Sequence, residues 1–191
     1  ARGPRTMRVS DTALPGVLLV EPSVFGDERG FFLETYQAER YETAGIPGPF
    51  VQDNVSRSRR GVLRGLHYQQ PDAQGKLVQV LDGEVYDVAV DVRWGSPNFG
   101  LWVGMLLSSA TKQQLYIPAG FAHGFVVTSD HALFVYKCTT AYRAEHDRSV
   151  LWSDPAIGIT WPVDDVQLSA KDRTAPTLGS LASHLLPPYA P

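Results

Sequence analysis

At 191 residues, with 43% hydrophobic and 19% charged content, the chain reads as one domain able to bury a core without staples. A formal net charge of only -3 excludes the broad basic field that nucleic acid or an anionic membrane requires, so neither is an expected partner. The single Cys138 excludes an intramolecular disulfide framework and a Cys-rich zinc site; in the apolar context LFVYKC it reads as a buried small residue.

Residues 1–8 are expected to form a ragged arm. The start ARGPRTMRV lacks the apolar middle of a secretory signal, and no apolar run approaches the roughly 18 residues of a membrane span; a cytoplasmic protein is expected. Val17 to Glu21 and Phe31 to Tyr36 are short apolar or aromatic runs separated by the turn-rich FGDERG. Gln37 to Ala44 is the one short helix, stopped by Gly45 and Pro47. Phe50 to Val55 and Val62 to Gln69 follow as strands. Leu77 to Leu81 and Glu84 to Val92 flank Asp82-Gly83, a dipeptide suited to a type I′ turn, and predict a hairpin. In its second arm Tyr86, Val88, Val90 and Val92 share one face, while Val85, Asp87, Ala89 and Asp91 share the other. That alternation predicts one packed face and one wet face, the wet one a candidate lumen.

Leu101 to Leu107, Leu115 to Ile117, Phe121 to Val127 and Ala132 to Thr139 continue the series at intervals of about ten residues. Short strands joined by Gly, Pro, Asn and Asp predict an all-β jelly-roll barrel with few short helices. After Trp161-Pro162 the pattern fades into loops and a helical turn, wrapped on the barrel or on a second subunit. No repeat, low-complexity tract or linker divides the chain. One domain is expected over 1–191, with a core over about 10–178 and a tail over 179–191.

Two stretches carry the chemistry. RGLHYQQPDAQGK holds Arg64, His67 and Lys76, and IPAGFAHGF holds His123. Metal-binding barrels of the cupin type use H-x-H on one strand, a downstream Glu and a later His. Here His67-Tyr68-Gln69 lacks the second histidine, and Gln74, Gly75 and Lys76 stand where the acid belongs; only Pro118, Gly120 and His123 survive of the later element. Two histidines beside an ammonium do not make a divalent site, so no metal and no cofactor is expected.

Acid–base chemistry remains. An unperturbed imidazole titrates near pH 6.5, so an oriented His67 accepts a proton at working pH. Lys76 suits negative charge developing on a carbonyl oxygen, and Tyr136 can present a phenol to the cavity. Each alone is ordinarily structural, the histidine and tyrosine as core and the lysine as a solvated turn; their conjunction carries the reading. Among the four arginines of SRSRRGVLR, Arg64 flanks His67 and suits a phosphate. Residues three apart face opposite sides of a strand, so both reach one ligand only through a bulge, for which Gly65 is the place.

These residues, in this order, resemble the dTDP-4-dehydrorhamnose 3,5-epimerase family. The matching segments are FGDERGFFLETY, FVQDN, GVLRGLHYQ, QGKLV, GEVYDVAVDVR, IPAGFAHGF, FVYK and LSAKD, spanning Val17 to Leu178. The resemblance implies a homodimeric, cupin-type jelly roll acting without metal or other cofactor on a dTDP-4-keto-6-deoxyhexose. It implies His67 as the base at sugar carbons 3 and 5, Asp172 orienting it, Tyr136 returning a proton on the opposite face and Lys76 stabilising the enolate. It implies Arg29 and Arg64 at the diphosphate, Glu34, Gln52 and Asn54 at the nucleotide, His123 at the sugar and Lys171 lining the site. The segment Tyr142 to Asp147 departs from the family pattern, and either Glu145 or the aligned Asp147 takes its acidic position. A 3-epimerase of a related sugar and a non-catalytic nucleotide-sugar binding cupin are the competing readings.

Overall fold

The computed structural model of the chain describes residues 7–190. Eleven strands form among them: β1 (Arg8–Asp11), β2 (Leu18–Glu21), β3 (Val24–Asp27), β4 (Gly30–Leu33), β5 (Gln52–Arg59), β6 (Leu63–Gln69), β7 (Lys76–Asp91), β8 (Trp102–Ser108), β9 (Gln114–Ile117), β10 (Phe121–Cys138) and β11 (Asp147–Ser149). Nine of them join in one sheet with the path β1-β2-β9-β7-β10-β6-β11, β5 pairing β10 and β8 pairing β7. β3 and β4 make a separate two-stranded ribbon, so FGDERG is the head of a hairpin as well as a turn. Helices are few, as expected of a jelly roll: α1 (Ala38–Thr43) and α2 (Ala170–Arg173), with three single 3-10 turns. The side chain of Gln37 caps α1, Gly45 with φ +90° ends it, and Tyr41 anchors it in the core.

β7 and β10 are the spine. They pair antiparallel from Phe121 opposite Asp91 to Cys138 opposite Lys76, and each changes its outer neighbour halfway. β7 pairs β9 through Lys76–Gln79 and β8 through Glu84–Val90. β10 pairs β6 in its first half and β5 in its second. Such switches fold one sheet over itself and close a barrel.

Three expectations change here. Arg8 opens β1, so the arm expected over 1–8 does not include it, and 1–6 lie outside the described residues. Asp82-Gly83 turns no hairpin; it lies inside continuous β7, and Phe121 to Val127 and Ala132 to Thr139 likewise belong to one strand. Gly83 has φ +81°, and a Cβ there would fall 2.0 Å from the His131 carbonyl oxygen. The glycine serves a bulge under a close backbone approach. Nor is the Val85–Asp91 face wet. Val85 and Ala89 join the barrel core with Val78, Val80, Leu115, Phe125 and Phe134, and Asp87 and Asp91 are fully buried.

The opposite face packs under the C-terminal segments. Leu66, Val88, Val90, Val92 and Ala122 meet Val150, Ile157, Leu178 and Leu186 there. The tail continues as a strap: Pro187 accepts from the Trp94 N–H at 2.8 Å and Tyr189 donates to the Trp94 carbonyl at 3.0 Å. With this part of the sheet covered on both faces, charged groups on its inner face sit in a dry interior. That is the setting of the site.

Candidate active site

His67 lies in the middle of β6, where Gly65 does what the strand pattern required. The register between β6 and β10 slips by one residue between His123 and Phe125, Gly65 has φ +126°, and a Cβ on it would lie 2.6 Å from Gly124 Cα. The bulge lets Arg64 and His67 serve the same side. His67 Nε2 meets Asp172 Oδ1 at 2.5 Å. Asp172 sits on α2, whose cap Ser169 accepts from the Asp172 N–H at 3.1 Å, while the Gly65 N–H donates to Asp172 Oδ2 at 3.4 Å. Burial pushes the Asp172 carboxyl up, but the bonds from His67, Gly65 and Ser169 outweigh it and hold the group below its ordinary value. An ionised, fixed carboxylate orients the ring and leaves Nδ1 for other work.

A cavity of about 300 Å³ opens beside this dyad. Gln52 and Asn54 of β5, Lys76 of β7, Tyr136 and Cys138 of β10, Asp147 of β11 and Lys171 of α2 line it with His67. Lys76 is buried opposite Cys138, its Nζ 5.9 Å from the Tyr136 ring centroid. Burial lowers the Lys76 ammonium below its usual range and raises the Tyr136 phenol, so the phenol keeps its proton at neutral pH. Cys138 is buried, as its context predicted, and its thiol is pushed up by the same cause.

The expected contacts divide into four groups. Gln52, Asn54, Asp147 and Lys171 line the cavity: Gln52 donates to Asn54 Oδ1 at 3.0 Å, and Asp147 binds Lys171 and accepts from the Tyr142 hydroxyl at 3.2 Å. Arg64 flanks it, its Nε donating to Ser58 Oγ at 3.1 Å and its charge acting on Tyr136. His123 lies behind the wall, nearly buried and paired with Asp87 at 2.8 Å. Arg29 and Glu34 stand apart. Arg29 is on the β3–β4 ribbon with its side chain 86% exposed and paired to Asp27, and Glu34 pairs with Arg40. Of the two acids left open, Asp147 is in the cavity wall; Glu145 is on the preceding 3-10 turn and exposed.

Sequence reasoning passed over Gln69, Gln74, Tyr142 and Asp87. Gln69 shares the face of His67 by simple alternation and was legible. Tyr142 comes from a loop with no period; its N–H donates to Gln52 Oε1 at 2.8 Å. Among the described residues no three His, Cys, Asp or Glu side chains converge as a metal site.

The cupin-like jelly roll thus gathers a His–Asp dyad, a buried lysine and a half-buried phenol around one cavity, groups that are able to give and take protons. The sequence profile of the dTDP-4-dehydrorhamnose 3,5-epimerase family matches residues 11–180, and the chain belongs to that family. It is 58% identical over 169 residues to the dTDP-4-dehydrorhamnose 3,5-epimerase of Pseudomonas aeruginosa, covering 87% of this chain and 93% of that one. The Salmonella typhimurium enzyme is 55% identical over 175 residues, covering 90% and 96%. A crystal structure of the dTDP-6-deoxy-D-glucose-3,5-epimerase from Legionella pneumophila, in complex with dTDP-4-keto-L-rhamnose, superposes with a TM-score of 0.95 at 53% identity, covering 97% of this chain and 100% of that one.

Proposed function

We propose that this protein inverts carbons 3 and 5 of dTDP-4-keto-6-deoxyglucose to give dTDP-4-keto-L-rhamnose, without metal or other cofactor. The observation that carries the reading is the His67–Asp172 dyad facing a cavity that also holds Lys76 and Tyr136. The ketone at carbon 4 acidifies the hydrogens on both neighbouring carbons, so one base serves twice. His67 takes each proton through Nδ1, because Nε2 is committed to Asp172. Lys76 holds the negative charge that passes to the carbonyl oxygen, a contact worth most in a water-poor cavity. Tyr136 returns a proton from the other side and inverts the centre.

Gln52, Asn54, Asp147 and Lys171 hold the polar substrate from the cavity wall, with Arg64 at the diphosphate. Arg29 and Glu34 act from the ribbon. That ribbon exposes Phe31 and Phe32 to 61% and 69%, and the outer face of the main sheet exposes Val51, Val55 and Leu81. Apolar surface of this kind fits a homodimer in which the ribbon packs on the second copy and brings Arg29 and Glu34 to a nucleotide there. A cytoplasmic location follows from the nucleotide-sugar substrate; no helix among the described residues is long and apolar enough to cross a membrane.

A second reading is inversion at carbon 3 alone. Its support is the likeness, at 38% identity and a TM-score of 0.86, to a 3′-monoepimerase from Streptomyces bikiniensis. Turnover in deuterium oxide, with the downstream ketoreductase trapping the product, separates the two. Deuterium at carbons 3 and 5 with trapped L-rhamnose is the expected result. Label at carbon 3 only would move the protein to the second reading, and no label would leave a binding protein.

A further inference from the structure

Behind the cavity wall lies a second His–Asp pair whose carboxyl has no part in the proposed reaction. Asp87 Oδ2 meets His123 Nε2 at 2.8 Å, while Asp87 Oδ1 is buried and has no hydrogen-bond partner among the described residues. Asp87 is 0% exposed, its cross-strand neighbours are Phe125 and Met105, and the His123 ring stacks on Phe134 at 16°. An ionised carboxylate offers about four lone-pair sites, and leaving most of them empty in apolar surroundings is costly. A neutral carboxyl asks for much less, because it donates one O–H and keeps one weak acceptor.

We propose that Asp87 is a positioning residue that stays protonated and donates to His123 Nε2, which holds His123 as a neutral imidazole with its hydrogen on Nδ1. The role rests on the epimerase reading. A neutral His123 keeps a second cation out of the interior that Lys76 shares, so the lysine charge alone meets the developing oxygen charge. The reverse arrangement, an ionised Asp87 accepting from Nε2–H, leaves Nδ1 bare and turns His123 into an acceptor. Burial pushes the Asp87 carboxyl up and the His123 imidazole down, as a neutral pair requires; the other charges acting on the pair are Lys76 at the start of β7 and His67 on β6.

The test is nitrogen NMR on the full chain with labelled histidine at neutral pH, the His123 signals assigned by their loss in His123→Asn. A hydrogen-bearing Nδ1 beside a bare Nε2 is expected. A bare Nδ1, or an imidazolium with both nitrogens protonated, overturns the proposal. In kinetics, Asp87→Ala is expected to lower kcat by about tenfold with KM within about twofold. Asp87→Asn, whose amide N–H can donate to Nε2, is expected to recover most of that loss. An asparagine variant as poor as the alanine, or an unimpaired alanine, also overturns it. Should Asp87→Ala fail to fold, the spectrum of the parent decides alone. A parent that does not turn over sinks the epimerase reading, while the spectrum still places the proton.

Discussion

Two of the His–Asp pairs are cross-strand neighbours in the sheet through His67 and His123, and they differ in water. At the cavity, His67 keeps 32% of its side chain exposed and its partner Asp172 takes bonds from a ring and a backbone N–H, its own N–H donating to the Ser169 cap. Behind the wall, His123 is 7% exposed and Asp87 has one bond. The same two residue types therefore carry opposite electrostatics. Asp172 is held below its ordinary value and Asp87 above it. A satisfied carboxylate behind a partly exposed histidine can support proton cycling through that ring, whereas an unsatisfied one in a dry core is suited to fixing where a proton stays.

Substitutions can break that contrast. His67→Asn should lower deuterium exchange at both sugar carbons by about 10³-fold while leaving dTDP binding intact. Near-normal turnover would remove His67 from the role of base. Lys76→Ala should cost roughly 10²-fold in kcat, in line with one preorganised charge contact, and little change at saturating substrate would count against it. Tyr136→Phe should slow reprotonation more than binding, by about tenfold or more, so that partly inverted sugars accumulate. An unaltered product profile would reassign the acid.

Stability sharpens the same contrast with smaller effects. Asp172 has a folded pKa below its unfolded one, so its contribution is present above the unfolded value near 3.8 and is lost as pH falls through the folded value. Asp87 has a folded pKa above its unfolded one, so it costs stability as pH rises from about the same value toward the folded one. Melts of Asp172→Asn and Asp87→Asn against the parent should thus diverge between pH 3 and pH 7, the first losing ground as pH rises and the second gaining. Parallel curves would mean that the two carboxyls share one environment. At the bulge, Gly83→Ala should lower stability by at least about 2 kcal/mol, because its Cβ would meet the His131 carbonyl and its φ is positive. A variant as stable as the parent would show that the bulge can relax.

Much of this was legible in the chain. Period-two runs marked the strands, the capped helix over Gln37–Ala44 was in place, and the RGLHYQ and SAKD segments pointed to His67 and Asp172. Asp172 itself came from the resemblance, since a loop carboxylate 105 residues from its histidine leaves no local signal. Hidden from the sequence was the phase of the long strands. Lys76 and Asp87 are eleven positions apart, which strict alternation puts on opposite faces; the bulge at Leu81, just before Gly83, inverts the phase and turns both inward. In β10 the irregularity between Val127 and Ala132 does the same, so His123 and Tyr136 share the interior although thirteen positions separate them.

The sequence by itself determined most of the strands, though not β1, β3 or β11, together with the chemistry-bearing residue types and the family, because these rest on local periodicity and on contiguous motifs. Only the tertiary structure decided which carboxyl serves which histidine and which pair stays dry. Those depend on two irregularities within β7 and β10 and on the C-terminal strap that covers the sheet. A bulge needs a partner strand to be defined, and burial needs a cover; neither is a property of a strand read alone.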